Sequence, residues 1–372
     1  MVGLRHARAV VLREYGEPVC IERLSLLPPG PGEVLVRIAA SGVCHTDLHV
    51  ATGDLPLPLP MVLGHEGAGV VEAVGEGVTT PAVGQRVVVS WMPSCGECFW
   101  CRGGRPDLCE RAAHAAARGI LPGGGTRWRD AGGEPVHQFS AAGTMAEAAV
   151  VPAACALPLP GDMPATSAAL LGCSVLTGTG AALRTGRVQP GERVAVFGAG
   201  GVGLQAIQGA RIAGASQIIA IDRLPERRDL AMRLGATDVV DPLDADPVVA
   251  VVDLTEGRGA DCTIEAVGTP ETIAAAFNAA RRGGRSVVVG VCPPEVDVAI
   301  NAFALPSQGK TLTGCWYGES DPARDLPQLV EHYRAGRLLL DELVTRRFPL
   351  EEAQAAFAAM MAGQVARAIL VP

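Results

Sequence analysis

Apolar and polar positions divide the chain into two textures. Over residues 9–40, short apolar runs such as Ala9-Val10-Val11-Leu12 and Val34-Leu35-Val36 alternate with Pro/Gly turns, the pattern of β-hairpins. Val70-Val71-Glu72-Ala73-Val74 and Arg86-Val87-Val88-Val89 continue it, so the first third predicts a strand-rich, irregular domain. From about Thr177, apolar strands alternate with helical stretches, as in a parallel α/β unit. Strands are expected over Arg193–Phe197, Gln217–Ile221, Asp238–Val240, Cys262–Glu265 and Ser286–Gly290. Helices over Val202–Ala213, Glu226–Leu234 and Thr272–Arg281 separate them, which makes a doubly wound sheet. Beyond Trp316, helical stretches at Leu326–Ala335 and Leu350–Ala362 lead to a strand-like Ala368–Val371. Gly119–Gly133 reads as a loop without usable period. The uncharged Thr166–Leu183 is too rich in Gly, Ser and Thr for a membrane span and reads as a buried hinge.

Composition narrows the function classes. A chain of 372 residues suggests about two domains, and 48% hydrophobic against 19% charged residues is the balance of a globular protein. The net charge of −8, with no basic stripe, disfavours nucleic acid as a partner. Among the basic residues only Lys310 is lysine. The start, Met1-Val2-Gly3-Leu4-Arg5-His6, lacks the apolar core of a signal peptide, so the expected location is cytoplasmic, with no membrane partner.

Four of the 11 cysteines are bunched as Cys95, Cys98, Cys101 and Cys109, with two, two and seven residues between them. Thiols at that spacing can converge on one zinc if the loop folds back, and a closed Cys₄ site is structural because no coordination position stays open. A redox or iron–sulfur cluster is the competing reading, for which no companion chemistry is present. Gly198-Ala199-Gly200-Gly201-Val202-Gly203 sits between a predicted strand and helix, with Asp222 closing the next strand. In that context the glycines let the backbone approach a dinucleotide pyrophosphate at a helix N-terminus; the bland alternative is a tight strand–helix turn. A third stretch joins Cys44-His45-Thr46-Asp47-Leu48-His49 to Gly64-His65-Glu66-Gly67 through a Pro/Leu-rich loop. Thiolate and imidazole suit zinc, and a catalytic site takes three protein ligands and leaves one place free; otherwise Cys44 and His65 are unrelated core residues.

Taken together, these motifs resemble the zinc-containing medium-chain alcohol dehydrogenases over essentially the whole chain. The resemblance implies a GroES-like catalytic domain at 1–174 and 317–372 and a Rossmann coenzyme domain at 175–316. It implies two zincs per chain, one held by Cys44, His65 and Cys173 and one by the four clustered cysteines, with NAD as the second cofactor. Thr46 and His49 match the family's proton relay, and Asp47 and Glu66 its acids that orient the ligands. Cofactor contacts are implied for His45, Thr177, the glycine turn (Gly198, Gly200, Gly201, Val202, Gly203), Asp222, Arg223, Arg227 and Arg367. Trp91, Val291 and Trp316 match the substrate pocket; core packing is the alternative for Trp316. The length of the Gly119–Gly133 loop is that of the family's homodimers. The implied reaction is oxidation of a primary alcohol to the aldehyde, or its reverse. A thiol-dependent formaldehyde dehydrogenase of the mycothiol type is the alternative, since Ala113 stands where the glutathione branch carries an arginine. A reading from another class is a non-catalytic dinucleotide-binding protein on the same fold, against which the intact ligand set argues.

Overall fold

The computed structural model describes residues 4–372, and the chain divides into two compact units. The first comprises Met1–Cys173, Asp321–Leu326 and Leu340–Pro372; the second comprises Ser174–Ser320 and Pro327–Leu339.

In the first unit, the strands Arg5–Leu12, Cys20–Leu26, Trp128–Arg129, Pro135–Gln138 and Met61–Val62 close a barrel. Ala7, Ala9 and Val11 pack into one core cluster and Val10 and Leu12 into another, so this strand is buried on both faces. That is why its sequence is a continuous apolar run instead of an alternation. The Gly-rich loop expected at Gly119–Gly133 holds a strand after all. Trp128 and Arg129 pair with Leu26 and Ser25, and the Trp128 indole is fully buried in the barrel core. Burying a large apolar side chain contributes about 1.5–3 kcal/mol, enough to fix a two-residue strand that has no period to announce it.

A second sheet of this unit is built around Glu33–Val43, which pairs with Glu66–Val74, Ala148–Pro152 and Arg367–Val371. Its register sets Gly42 opposite Glu66 and Val43 opposite Ala368. Three segments far apart in sequence thus deliver Cys44, Glu66 and Arg367 to one end of the sheet.

The second unit is an all-parallel six-stranded sheet. From edge to edge its strands are Asp238–Val240, Gln217–Ile221, Arg193–Phe197, Ala260–Glu265, Ala280–Val288 and Thr311–Gly314. Its central strands read as unbroken apolar runs because helices cover both faces of such a sheet. Phe197, Ile219, Ile221, Val251 and Ala276 share one core cluster. Ala280–Val288 begins six residues before the apolar run at Ser286, because Ala280 already pairs with Ala260 and the ladder resumes, after a register shift, with Arg285 opposite Cys262. Helices Gly201–Ile212, Pro225–Leu234 and Pro270–Ala279 agree with expectation to within two residues, and Pro247–Leu254, capped by Asp246, was not foreseen. Among the described residues no single helix is long and apolar enough to cross a membrane.

Candidate active site

Cys44 follows the strand Glu33–Val43 and caps the helix His45–Thr52. His65 precedes the strand Glu66–Val74, and Cys173 breaks a helical run, with Leu170–Gly172 before it and Ser174–Gly180 after it. Together with Glu66, their ligand atoms all lie within 4.8 Å of one another, and all four residues are buried. Asp47 ties the group together. One carboxylate oxygen accepts from the Cys44 amide at 3.2 Å; the other accepts from the Gly64 amide at 3.0 Å and faces His65 Nδ1 at 3.2 Å. With Nδ1 so engaged, His65 offers Nε2 as its ligand atom. Gly64 is required by its φ of +95° and by crowding, since a Cβ there would lie 2.4 Å from the Met145 amide nitrogen. Phe139 sets its ring edge-on against His65, 5.1 Å between centroids.

Electrostatics bind the cluster further. The hydrogen bond with Cys173 and the nearby His65 pull the Cys44 thiol down, while that bond and burial push Cys173 up. Burial opposes charge on His65, but Asp47 and Cys44 hold its pKa well above the usual value. Glu66 is pushed up to about 7 by burial, against the lowering effect of Arg367, whose guanidinium contacts it directly. Two adjacent buried thiols and an oriented imidazole are the donor set of a tetrahedral zinc, which binds thiolates and displaces the shared proton. The residues fit the metal.

The second cluster is separate. Cys95, Cys98, Cys101 and Cys109 bring their sulfurs within 4.8 Å of one another. Backbone amides of Glu97 and Cys98 donate to Cys95 Sγ at 3.4 and 3.3 Å, and that of Cys95 donates to Cys109 Sγ at 3.3 Å. Backbone amides pull Cys98 down to about 6, whereas burial and the neighbouring thiols push Cys101 up to about 12. Four thiols cannot all ionise side by side without a cation, and zinc would supply it. None of the 11 cysteines is in a disulfide.

In the second unit, the glycine turn joins the strand Arg193–Phe197 to the helix Gly201–Ile212. A Cβ on Gly203 would lie 1.7 Å from the Gly198 carbonyl, so this glycine allows helix and strand to touch. At Gly200 a Cβ would meet nothing nearer than Arg227 Nη1 at 3.9 Å, and no side chain caps the helix. Open space before uncapped amides fits a pyrophosphate. Asp222 is buried; its carboxylate accepts from the amides of Ala199 at 2.8 Å and Leu224 at 2.9 Å. It braces the turn, a role its sequence position does not reveal. Arg227 Nη1 lies 3.8 Å from it, whereas Arg223 is exposed.

Other expected residues are distributed as follows. Thr46 Oγ1 lies 3.6 Å from Cys44 Sγ, and His49 Nδ1 lies 3.3 Å from Asp54. His45 is exposed, Trp91 is partly buried, and Thr177 is buried in the helix Ser174–Gly180. Trp316 is 47% exposed, which removes it from the core, and Val291 is exposed as well. Arg367, expected at the pyrophosphate, is buried against Glu66. Their separation of 301 residues left no sequence signal for that pair.

Comparison with known proteins agrees with this architecture. Residues 30–161 match the alcohol dehydrogenase GroES-like domain, and residues 201–334 match the zinc-binding dehydrogenase domain. An S-(hydroxymethyl)glutathione dehydrogenase of Synechocystis sp. is 38% identical, over 98% of this chain and 99% of its own. Among solved structures, an alcohol dehydrogenase zinc-binding domain protein of Burkholderia ambifaria superposes with a TM-score of 0.94 at 39% identity, covering 99% of this chain and 100% of that one. The benzyl alcohol dehydrogenase of Acinetobacter calcoaceticus gives 0.92 at 33% identity, covering 99% of each. Likeness of that extent, together with two thiol-rich metal clusters and a dinucleotide-binding sheet, places the chain in the zinc-containing alcohol dehydrogenase family of the medium-chain dehydrogenases, as a zinc-binding, NAD(P)-linked oxidoreductase.

Proposed function

We propose that the protein oxidises the hydroxymethyl group of an adduct between formaldehyde and a low-molecular-weight thiol, with NAD as acceptor. The observation that carries this reading is the 38% identity to an S-(hydroxymethyl)glutathione dehydrogenase across 98% of the chain. The thiol is not expected to be glutathione. Ala113, exposed on the helix Glu110–Arg118, gives no cation for a carboxylate tail, and the neighbouring Arg111 is paired with Glu97 at 3.1 Å. A second reading, oxidation of a free primary alcohol, is favoured by the likeness to benzyl alcohol dehydrogenase.

Zinc chemistry is assigned to the first unit and the dinucleotide to the second. Zinc held by Cys44, His65 and Cys173 would supply a Lewis acid toward the substrate oxygen, and the nicotinamide would supply a hydride acceptor. Asp47 keeps His65 in the required tautomer. Thr46 Oγ1, next to Cys44 Sγ, takes the hydroxyl proton, and His49, one helical turn on, releases it to solvent. The Asp54 carboxylate holds the His49 ring in place through Nδ1. Glu66, grouped with the two thiols, is held by the Arg367 guanidinium. The length of the loop 119–133 supports a homodimer, to be checked by light scattering, and the cytoplasm is the location taken with it.

The deciding experiment follows reduced cofactor with formaldehyde and with primary alcohols, each with and without mycothiol, glutathione or a simple thiol. Formaldehyde oxidation that requires mycothiol is expected. Fast turnover of benzyl-type alcohols with no thiol effect would replace this reading with the second.

A further inference from the structure

At the carboxyl end of the parallel sheet, two turns follow the strands Ala260–Glu265 and Ala280–Val288, beside the glycine turn. Glu265 closes the first strand, in register with Phe197 on one side and Val288 on the other, and it is fully buried. Its Oε1 accepts from the amides of Val267 and Gly268 and from the Thr272 hydroxyl, each at 2.8 Å. Its backbone carbonyl accepts from the amides of Val289 at 2.8 Å and Gly290 at 3.1 Å. Its Oε2 is buried and takes no hydrogen bond. Burying a carboxylate is costly, and an apolar residue would fill this place at less expense. What the carboxylate provides is a fastening for the first turn through Oε1, with Oε2 packed against Gly290 of the second turn, which the backbone carbonyl of the same residue holds.

The turns meet backbone against backbone. A Cβ on Gly290 would lie 2.2 Å from the Gly268 amide and 2.7 Å from Glu265 Oε2, and a Cβ on Gly268 would lie 2.6 Å from the Val291 carbonyl. The Cys292 thiol donates to the Gly268 carbonyl at 3.1 Å. Val267 also abuts the glycine turn, since a Cβ on Gly198 would lie 2.6 Å from its Cγ2. Val267 and Val291 themselves are exposed. In a doubly wound sheet a dinucleotide crosses the carboxyl ends of the strands. Asp222 stands on one side of the glycine turn, where the adenosine half belongs, so the strands on the other side face the nicotinamide half.

We propose that Glu265 is a positioning residue for the nicotinamide half of the cofactor. It holds the Val267 and Val291 turns as one rigid surface beside the glycine turn. The proposal rests on the dinucleotide reading of that turn and is independent of the substrate.

The test is calorimetric binding of NADH and of ADP-ribose, which lacks the nicotinamide. Glu265→Met should weaken NADH by about tenfold or more, the usual scale for losing a supporting contact, and leave ADP-ribose nearly unchanged. Glu265→Gln keeps an acceptor for the two amides and should restore most of the NADH affinity. Gly290→Ala, which wedges the turns apart without deleting a hydrogen bond, should show the same selective loss and serves if Glu265→Met fails to fold. Unchanged NADH binding, or equal loss of both ligands, overturns the proposal. Failure of the wild type to bind either ligand would overturn the dinucleotide reading instead.

Discussion

Replacing Asp47 by asparagine should empty the first metal site and spare the second. Asp47 has no exposed surface and serves three groups: the amides of Cys44 and Gly64, and His65 Nδ1. Alanine would leave three buried donors without acceptors, at about 1–3 kcal/mol each. Their sum approaches the whole stability of a typical domain, about 5–15 kcal/mol, so the alanine variant would report on folding instead. Asparagine fills the same volume. Its carbonyl can still accept from Gly64 and His65, but its amino group then confronts the Cys44 amide, donor against donor. One lost bond and one unsatisfied donor at the residue bearing the thiolate should cost about 10–100-fold in zinc affinity, the usual effect of losing a partner that orients a ligand. That is about 1.4–2.7 kcal/mol at 1.36 kcal/mol per tenfold. The assay is zinc release to a chelator of graded strength, read as metal per chain. The Cys95–Cys109 site is the internal control, since Asp47 bonds to none of its residues. Two zincs held by Asp47→Asn with the chelator resistance of the wild type would refute the argument.

Other outcomes follow from the same geometry. Cys173→Ala should lose one zinc and nearly all activity while remaining folded, whereas Cys101→Ala should lower the melting temperature; metal analysis and thermal scans check both. His49→Gln should slow oxidation most at low pH and be partly rescued by a small organic base, while Thr46→Ala should be slower still and not rescued; rate profiles from pH 6 to 10 decide it. Asp222→Gly should raise the kcat/KM ratio of NADP to NAD about a hundredfold, the scale of a 3 kcal/mol phosphate–carboxylate penalty. Because Asp222 also braces Ala199 and Leu224, affinity for both cofactors should fall, and a further Arg227→Ala change should remove the NADP gain.

What the sequence revealed and concealed has physical reasons. Arg193–Phe197 and Gln217–Ile221 have the predicted bounds, because a strand buried on both faces is one apolar run ended by a turn, and the edge strand Asp238–Val240 has them too. The helix Glu110–Arg118 went unread since its buried positions, Ala112 and Ala115, are alanines that do not mark an apolar face. Thr166–Leu183, read as a hinge, is largely helical, broken at Cys173. The four-cysteine cluster was legible because thiols at short spacing announce themselves, whereas Cys173, 108 residues beyond His65, was assigned only through the family resemblance. The contacts that organise the Cys44 site, Asp47 to Gly64 and Glu66 to Arg367, depend on register between distant strands and leave no local trace.

The two metal clusters differ in how much chain each must enclose, and this bears on biogenesis. Cys95 to Cys109 is a loop of about 15 residues, whereas Cys44 to Cys173 encloses about 130. Loop-closure entropy grows as 1.5RT ln n, so the longer closure costs about 2 kcal/mol more. During vectorial synthesis the four-cysteine lobe can capture its ion soon after Cys109 leaves the ribosome. The other site must wait for Cys173, and its Glu66 gains Arg367 only after the entire second unit has been made. Zinc limitation during growth should therefore yield chains loaded in the lobe and vacant at Cys44, a population that is folded, abundant and inactive.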